Sequence, residues 1–83
     1  MNTTATQLNE LVAQIAQSLV DRPQDVWVNA IESGHTTVLE LRVAKVDMGK
    51  VIGKQGRTAQ ALRTLVGAVS AKIKRRAVLE IIE

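Results

Sequence analysis

The sequence predicts an α+β fold in which three helices pack on one face of a three-stranded sheet. Apolar residues recur at helical spacing near the start of the chain and again near its end, and between them two short segments alternate apolar and polar residues as strands do. Hydrophobic residues make up 46% of the chain, which is typical of a globular protein. Because 83 residues have room for one small domain, residues 1–83 are predicted to form a single domain.

The first element is predicted to be an amphipathic helix over residues 4–20. Thr4 followed by Gln7 fits a capping box, in which the two side chains satisfy free backbone amides at the start of a helix. Apolar residues then recur at helical spacing and are interpreted as core: Leu8, Leu11, Val12, Ile15 and Leu19. The helix is expected to end at Asp21-Arg22-Pro23, because proline cannot continue the backbone hydrogen-bond ladder.

Two strands are predicted next, over residues 26–31 and residues 36–43. The turn Ser33-Gly34-His35 joins them, and so short a connection makes the pair an antiparallel hairpin. In the second strand, Glu40 and Arg42 point away from a face shared by four residues: Thr37, Leu39, Leu41 and Val43. Trp27, the only aromatic residue, is interpreted as core or subunit interface, and His35 as a surface residue.

A short helix, a glycine loop, a long helix and a strand complete the order α-β-β-α-α-β. Asp47 is predicted to cap the short helix, which ends at Ile52, and the chain then breaks at Gly53 and again at Gly56. The long helix that follows presents one apolar face, formed by Leu62, Leu65, Val66, Val69 and Ile73. Residues 78–82 are short, apolar and mostly β-branched, which indicates the third strand.

Charge is distributed unevenly along the chain and points to an anionic partner. The formal net charge is +3, made up of −3 over residues 1–44 and +6 over residues 45–83. A basic half on an otherwise balanced protein is typical of a surface that meets an anion. The cations Lys72, Lys74, Arg75 and Arg76 are nevertheless interpreted first as solvated charges at a helix C-terminus, and their contact with nucleic acid stays open.

Composition excludes several classes of protein. The chain has no cysteine, which excludes a disulfide framework, a thiolate zinc site and a cysteine nucleophile. Its single histidine makes neither a metal site nor a catalytic pair, so neither a cofactor nor enzymatic activity is predicted. Met1-Asn2-Thr3-Thr4 lacks the basic and apolar pattern of a signal peptide, and no stretch is long enough to cross a bilayer. We therefore expect a cytoplasmic protein without a membrane partner.

The segment Gly53-Lys54-Gln55-Gly56 has the chemistry of a phosphate clamp. A phosphodiester approaches the main chain closely only where no Cβ obstructs it, and the helix after Gly56 directs free amides and its positive dipole end towards the loop. Lys54 adds a point charge, Gln55 a neutral hydrogen-bonding group and Arg57 a planar fork suited to phosphate. These groups recognise a nucleic-acid backbone and imply no base preference. Arg57-Thr58 follows too short a gap for the loop of a nucleotide-hydrolysing enzyme.

The sequence around this loop resembles the signature of the KH domain. The matching residues are Val51-Ile52-Gly53-Lys54-Gln55-Gly56-Arg57 and Ala61-Leu62-Arg63, and the order of elements is similar to the type II arrangement. KH domains hold about four nucleotides of single-stranded nucleic acid with their glycine loop. The small size and the run from Asp47-x-Gly49-Lys50 to Arg57-Thr58 resemble the KhpA group of bacterial single-KH proteins.

This resemblance implies a function and a set of site residues. Membership would imply binding of single-stranded RNA, as an RNA chaperone or post-transcriptional regulator, together with self-association or pairing with a second KH-containing protein. Gly53, Lys54, Gln55 and Gly56 carry over as the backbone clamp, Ile52 as an apolar wall of the groove and Arg57 as a phosphate contact. Lys50 and Arg63, which lie in the matching segments, complete the predicted RNA-binding set.

Two other functions stay open from the residues alone. A protein-interaction module that retains the KH shell as a scaffold would bind a protein partner without needing Lys54 and Gln55. Single-stranded DNA is an alternative ligand, because a phosphate clamp serves both polymers and no residue here is assignable to a 2′-hydroxyl. RNA is preferred on the resemblance.

Overall fold

A computed structural model describes residues 4–83, with side chains from residue 6 onward. Three α-helices and three strands follow in the order α1 (Thr4–Leu19), β1 (Trp27–Ser33), β2 (Thr36–Arg42), α2 (Met48–Ile52), α3 (Arg57–Lys72) and β3 (Arg76–Ile81). Single 3₁₀ turns precede β1, α2 and α3. The predicted capping box at Thr4 lies outside the described side chains. The element order matches the predicted α-β-β-α-α-β order.

The three strands form one mixed sheet in the order β1-β2-β3. β1 and β2 are the predicted antiparallel hairpin, with Trp27 opposite Arg42 and Ser33 opposite Thr36. β3 runs parallel to β2, from Thr36 opposite Arg76 to Leu41 opposite Ile81. A parallel pair needs a crossover connection, and α2, the glycine loop and α3 together make that crossover.

The helices cover one face of this sheet, as predicted. The core cluster consists of side chains at most 3% exposed, drawn from α1, β2, α3 and β3: Leu8, Val12, Ala16, Leu39, Leu41, Leu62, Val66 and Leu79. Alternate residues of β1 and β2 therefore point to the opposite, uncovered face. Thr37 lies on the covered face with Leu39 and Leu41 and is fully buried.

Several sequence interpretations are wrong in detail. Leu65 and Leu19, both predicted to be core, are 48% and 39% exposed because each lies at the margin of its helix's apolar stripe. Trp27 is 45% exposed and is not core, since it lies on the uncovered face. β3 begins at Arg76 rather than at residue 78, because pairing with β2 extends it through polar residues. His35 is exposed, as predicted.

Asp47 does not cap α2, contrary to prediction. Its side chain makes no capping bond to that helix and is instead fully buried. Its two carboxylate oxygens accept hydrogen bonds from the backbone amides of Asp21 (3.2 Å) and Arg22 (3.1 Å). Asp47 therefore fastens the segment after α1 to the start of α2, because a buried carboxylate is stable only with its hydrogen bonds satisfied.

Arg75 fastens the opposite end of the fold. Its Nε donates to the buried Thr37 hydroxyl at 3.0 Å, and its Nη2 lies 2.8 Å from Glu32 Oε1. The same Nη2 donates to the carbonyl of Gly34 at 3.4 Å. These contacts tie the connection between α3 and β3 to the β1–β2 hairpin.

Candidate nucleic-acid interface

The loop between α2 and α3 has an unusual backbone. Three of its four residues have positive φ: Gly53 (φ 77, ψ 171), Gln55 (φ 57, ψ 26) and Gly56 (φ 74, ψ 14). Side chains seldom adopt these conformations, and a non-glycine residue in the left-handed region costs roughly 1–2 kcal/mol. The loop is therefore a fixed, tightly turned segment, held at Gly53 by a hydrogen bond from its amide to the carbonyl of Gly49 (2.8 Å).

The two glycines of the loop meet different surroundings. A Cβ at Gly53 would collide with the Thr58 side chain and lie 2.8 Å from the Thr58 amide nitrogen, so the loop folds directly against the first turn of α3. A Cβ at Gly56 would meet no atom within 4 Å among the described residues. Gly53 is thus required by packing and by conformation, whereas Gly56 leaves open space beside the main chain for an approaching group.

Backbone amides of the loop are free to bind a ligand. The amide of Gly56 donates to the carbonyl of Gly53 at 3.1 Å, but those of Lys54 and Gln55 donate to no backbone carbonyl in the described part of the chain. The left-handed conformation of Gln55 follows a right-handed Lys54, and such a pair directs successive amides into one concavity that suits an anion. The N-terminus of the 16-residue α3 adds its positive dipole end at the same place.

The predicted clamp side chains surround these amides. Lys54, Gln55 and Arg57 are exposed, and neither cation forms an ion pair with any residue from 4 to 83. Ile52 is half-buried at the end of α2, directly before the loop. The interface is an open surface, since no cavity is found among the described residues. The arrangement joins unpaired positive charge to free amides, which is suited to a polyanion.

Lys50 is placed differently from the other predicted contacts. Its ammonium lies 3.2 Å from Asp21 Oδ2 and 3.7 Å from Asp47 Oδ1. The hydrogen bond and charge of Asp21, with a smaller contribution from Asp47, raise the pKa of Lys50 above its ordinary value of 10.5. Its charge is therefore already matched by two carboxylates, and its predicted contact with RNA stays a prediction.

Arg63 lies on the same helix as Arg57 but about 9 Å further along it, at 1.5 Å per residue. Its Nε donates to the carbonyl of Leu79 in β3 at 3.4 Å, while the residue as a whole is exposed. The amides of Arg76 and Ile82 donate to β2, so the alternate residues of β3 direct their backbone groups to the free edge of the sheet. Arg63 therefore lies between α3 and that edge.

The cations at the far end of α3 are separated from the loop by the length of that helix, about 22 Å for its 16 residues. Arg75 is engaged with Glu32 and Thr37 and is a structural residue. Lys72, Lys74 and Arg76 are exposed, which agrees with their interpretation as solvated charges.

Sequence reasoning missed the contributions of Thr58 and Asp47. Thr58 makes a glycine obligatory at position 53, and Asp47 holds the start of α2 from which the loop emerges. The requirement for a small residue at position 53 is readable from the glycine, but its partner is known only once the loop is folded. A buried carboxylate in a polar segment leaves no periodic signal in the sequence.

Two searches give no further site. Among residues 4–83, no group of three or more histidine, cysteine, aspartate or glutamate side chains is arranged to hold a metal ion. In the same range, no helix has the length and apolar character needed to cross a membrane.

Comparison with known proteins decides the family. The family model of the KhpA/KhpB KH domain matches residues 9–81, which includes the whole helix–loop–helix. The chain belongs to the KhpA/KhpB KH-domain family. The α+β, type II KH prediction is thereby confirmed, together with the resemblance on which it depended.

Relatives of KhpA type match nearly the whole chain. The RNA-binding protein KhpA of Caldanaerobacter subterraneus is 56% identical over 75 residues, covering 90% of this chain and 100% of the relative. The RNA-binding protein KhpA of Borreliella burgdorferi is 51% identical over 74 residues, covering 89% and 90%. That of Aquifex aeolicus is 51% identical over 76 residues, covering 92% and 96%.

A solved structure supports the fold of this KhpA/KhpB KH domain. Era of Aquifex aeolicus, in a crystal structure with bound GDP, superposes with a TM-score of 0.67 over 98% of the chain at 19% sequence identity. The chain spans 31% of the length of that protein, so the likeness concerns one portion of Era and the fold alone.

Proposed function

We propose that this protein binds single-stranded RNA through the loop Gly53-Lys54-Gln55-Gly56 and is not an enzyme. The observation that carries the proposal is the loop itself, which joins free amides at Lys54 and Gln55 to open space at Gly56. Relatives about 50% identical over most of the chain are named RNA-binding proteins, which favours RNA as the anion. Residues 1–83 act as a single KH domain in this proposal.

Each side chain has a distinct part in the proposed clamp. The phosphate backbone lies over Gly56, where no Cβ intervenes, and accepts hydrogen bonds from the free amides. Lys54 and Arg57 neutralise phosphates and Gln55 donates a neutral hydrogen bond. Ile52 contacts the apolar face of a splayed base, and Arg63 extends the path towards the edge of β3.

Lys50 acts in this proposal mainly through the loop's support. Its ammonium is shared between Asp21 and Asp47, so it contributes a weaker attraction to phosphate than Lys54 does. With about three phosphates neutralised, the logarithm of affinity is expected to fall against the logarithm of salt concentration with a slope near −2.

A single site of about four nucleotides gives modest affinity, so the proposal includes a second site. Self-association, or pairing with a second KH-containing protein, would place two clamps on one strand. Leu65, 48% exposed on α3, is an apolar side chain that such an association would cover. A cytoplasmic RNA chaperone or post-transcriptional regulator is the role consistent with this mode of binding.

Fluorescence anisotropy with short single-stranded RNA and matched DNA tests the clamp. The variant Lys54→Asp/Gln55→Asp places two carboxylates beside the free amides and is expected to weaken RNA binding roughly 30-fold, about 1 kcal/mol for each position. Wild-type protein is expected to bind RNA more tightly than DNA of the same sequence.

A matched control separates the clamp from overall charge. Lys72→Asp/Gln7→Asp makes the same two changes at exposed positions, one of them at the far end of α3, and is expected to leave affinity within about threefold. Circular dichroism checks that both variants are folded. Equal binding by the two variants would show that the loop is not the clamp, and a preference for DNA would replace RNA as the ligand.

A further inference from the structure

The face of the sheet opposite the helices is uncovered and carries its own pattern of side chains. Val28 and Ala30 of β1 pack against the core, so Trp27, Asn29 and Ile31 point outward. By the same alternation, Val38 and Glu40 of β2 and Val78 and Glu80 of β3 point outward. We call this surface the outer sheet face, and nothing in the proposed RNA clamp uses it.

One row across the outer sheet face is apolar. Ile31 lies opposite Val38 in the antiparallel pair, and Val38 lies opposite Val78 in the parallel pair. The three side chains therefore form one band across all three strands. Ile31 and Val78 are 44% and 37% exposed. A contiguous exposed apolar band is typical of an interaction surface, unlike apolar residues scattered singly.

The next row is acidic. Glu40 and Glu80 lie opposite each other in the parallel pair, and neither forms an ion pair with any residue in the described range. Like charges in neighbouring strand positions are destabilising, so a cation supplied from outside would be stabilising. Beyond this row the Arg42 guanidinium lies 5.2 Å from the centre of the exposed Trp27 ring.

The dimensions of this surface favour a single secondary-structure element as its occupant. Three strands span about 10 Å, and the seven residues of β1 span about 20 Å, which gives a surface of roughly 300 Å². A stable contact between two globular proteins needs about 800 Å² from each partner. A helix is about 10 Å across and matches the width of the sheet.

Charge sets the chemistry of this occupant. The acidic row repels phosphate, so RNA is not expected on the outer sheet face. A second copy that met this face about a central two-fold axis would bring Glu40 and Glu80 towards their own counterparts. We propose that the outer sheet face docks an amphipathic helix of a partner protein, with an apolar stripe on Ile31, Val38 and Val78 and flanking lysine or arginine beside Glu40 and Glu80.

Trp27 fluorescence gives a direct test, because Trp27 is the only aromatic residue of the chain. The probes are two synthetic peptides of about 18 residues without aromatic residues. Both have the same leucine stripe at helical spacing, flanked in one by lysine and in the other by glutamate. Wild-type protein is expected to bind the lysine peptide roughly tenfold more tightly than the glutamate peptide.

Charge reversal tests whether the acidic row is the cause. In Glu40→Lys/Glu80→Lys the preference between the peptides is expected to reverse. The control Glu10→Lys/Asp25→Lys changes net charge equally at exposed positions away from the outer sheet face and is expected to keep the wild-type preference. Ile31→Ser/Val78→Ser removes apolar surface at exposed positions and is expected to weaken both peptides, with folding checked by circular dichroism.

The proposal is independent of the RNA clamp. Lys54→Asp/Gln55→Asp is expected to bind the lysine peptide as wild type does, and RNA is expected not to displace that peptide. The proposal is overturned by equal binding of the two peptides, or by a preference that Glu40→Lys/Glu80→Lys leaves unchanged. It is also overturned if RNA competes for the face, or if sedimentation shows a wild-type dimer that Ile31→Ser/Val78→Ser abolishes, which would assign the face to a second copy.

Discussion

Gln55 and Lys74 have the same left-handed φ of 57°, yet the two are stabilised in different ways. At Lys74 the conformation ends α3, and two backbone hydrogen bonds accompany it: from the Lys74 amide to the Ala71 carbonyl and from the Arg75 amide to the Ser70 carbonyl. This is the common hydrogen-bonded termination of a helix. At Gln55 the amide donates to no backbone carbonyl among the described residues.

The same difference holds for the charges around these two residues. Next to Lys74, the Arg75 guanidinium is matched by Glu32 and by the hydroxyl of Thr37. Next to Gln55, Lys54 and Arg57 have no acidic partner in the described range. Strain and charge that the fold does not compensate indicate a place where a ligand does so. The loop is functional by this criterion and the end of α3 is structural.

The largest expected effect comes from the residue that gives the loop its shape. Gly53→Ala would bring a Cβ against Thr58 and force a side chain onto a φ of 77°. We expect the free energy of unfolding to fall by about 3 kcal/mol, measured by urea denaturation. Gly67→Ala is the matched control, because a Cβ there meets nothing within 4 Å inside α3, and it is expected to add roughly 0.5–1 kcal/mol. Equal effects would contradict the packing assigned to Gly53.

The next prediction exchanges the roles of two arginines. Arg75→Gln breaks the contacts with Glu32 and Thr37 and is expected to lower the free energy of unfolding by about 1.5 kcal/mol with RNA affinity unchanged. Arg57→Gln is expected to lower RNA affinity roughly fivefold with stability unchanged. Urea denaturation and anisotropy on both variants check this. A loss of RNA affinity in Arg75→Gln would erase the distinction between the two regions.

A smaller effect is expected from glycine at the two left-handed positions. Lys74→Gly and Gln55→Gly each relieve strain, so each is expected to add about 0.5–1 kcal/mol of stability, less the added freedom of the unfolded chain. Only Gln55→Gly is expected to weaken RNA binding, because it removes a donor and loosens the clamp. Thermal unfolding and anisotropy measure the two quantities, and identical RNA affinities would count against the role of Gln55.

The smallest effect concerns Lys50, whose charge is matched although it lies next to the clamp. Its pKa is raised in the folded state, so its stabilisation is complete below its ordinary pKa of 10.5 and is lost as pH rises through the higher folded value. Lys50→Met is therefore expected to be less stable than wild type at neutral pH, with the difference shrinking above pH 10.5. Urea denaturation across this range checks the sign, and a difference independent of pH would contradict the pairing with Asp21.

Local signals predicted the loop and the helices that flank it. Gly53, Gly56 and Pro23 break the chain for reasons that act within a few residues, so the boundaries near them are close to those observed. The apolar periodicity of α1 and α3 likewise identified most of the core. Leu65 was misassigned because periodicity gives the direction of a stripe but not its width.

Features that depend on distant contacts were not predictable in the same way. The parallel pairing of β3 with β2 sets where β3 begins, and that pairing joins segments about 40 residues apart. Asp47 is buried only because the backbone after α1 returns to it. Of the predicted site residues, the structure groups Ile52 to Arg57 around one loop, whereas Lys50 is paired with acids and Arg63 with the backbone of β3. The chemistry of the loop was readable from its residues, and its compensation by the fold was not.

The most direct measurement is a titration of ¹⁵N-labelled protein with a short single-stranded RNA, followed by amide chemical shifts. The account predicts that the largest shifts occur at Lys54, Gln55, Gly56 and Arg57, that they weaken with added salt, and that the amides of Lys74 and Arg75 do not move. Shifts of equal size at the end of α3, or shifts that leave the Gln55 amide unchanged, would contradict the assignment of the loop as the RNA clamp.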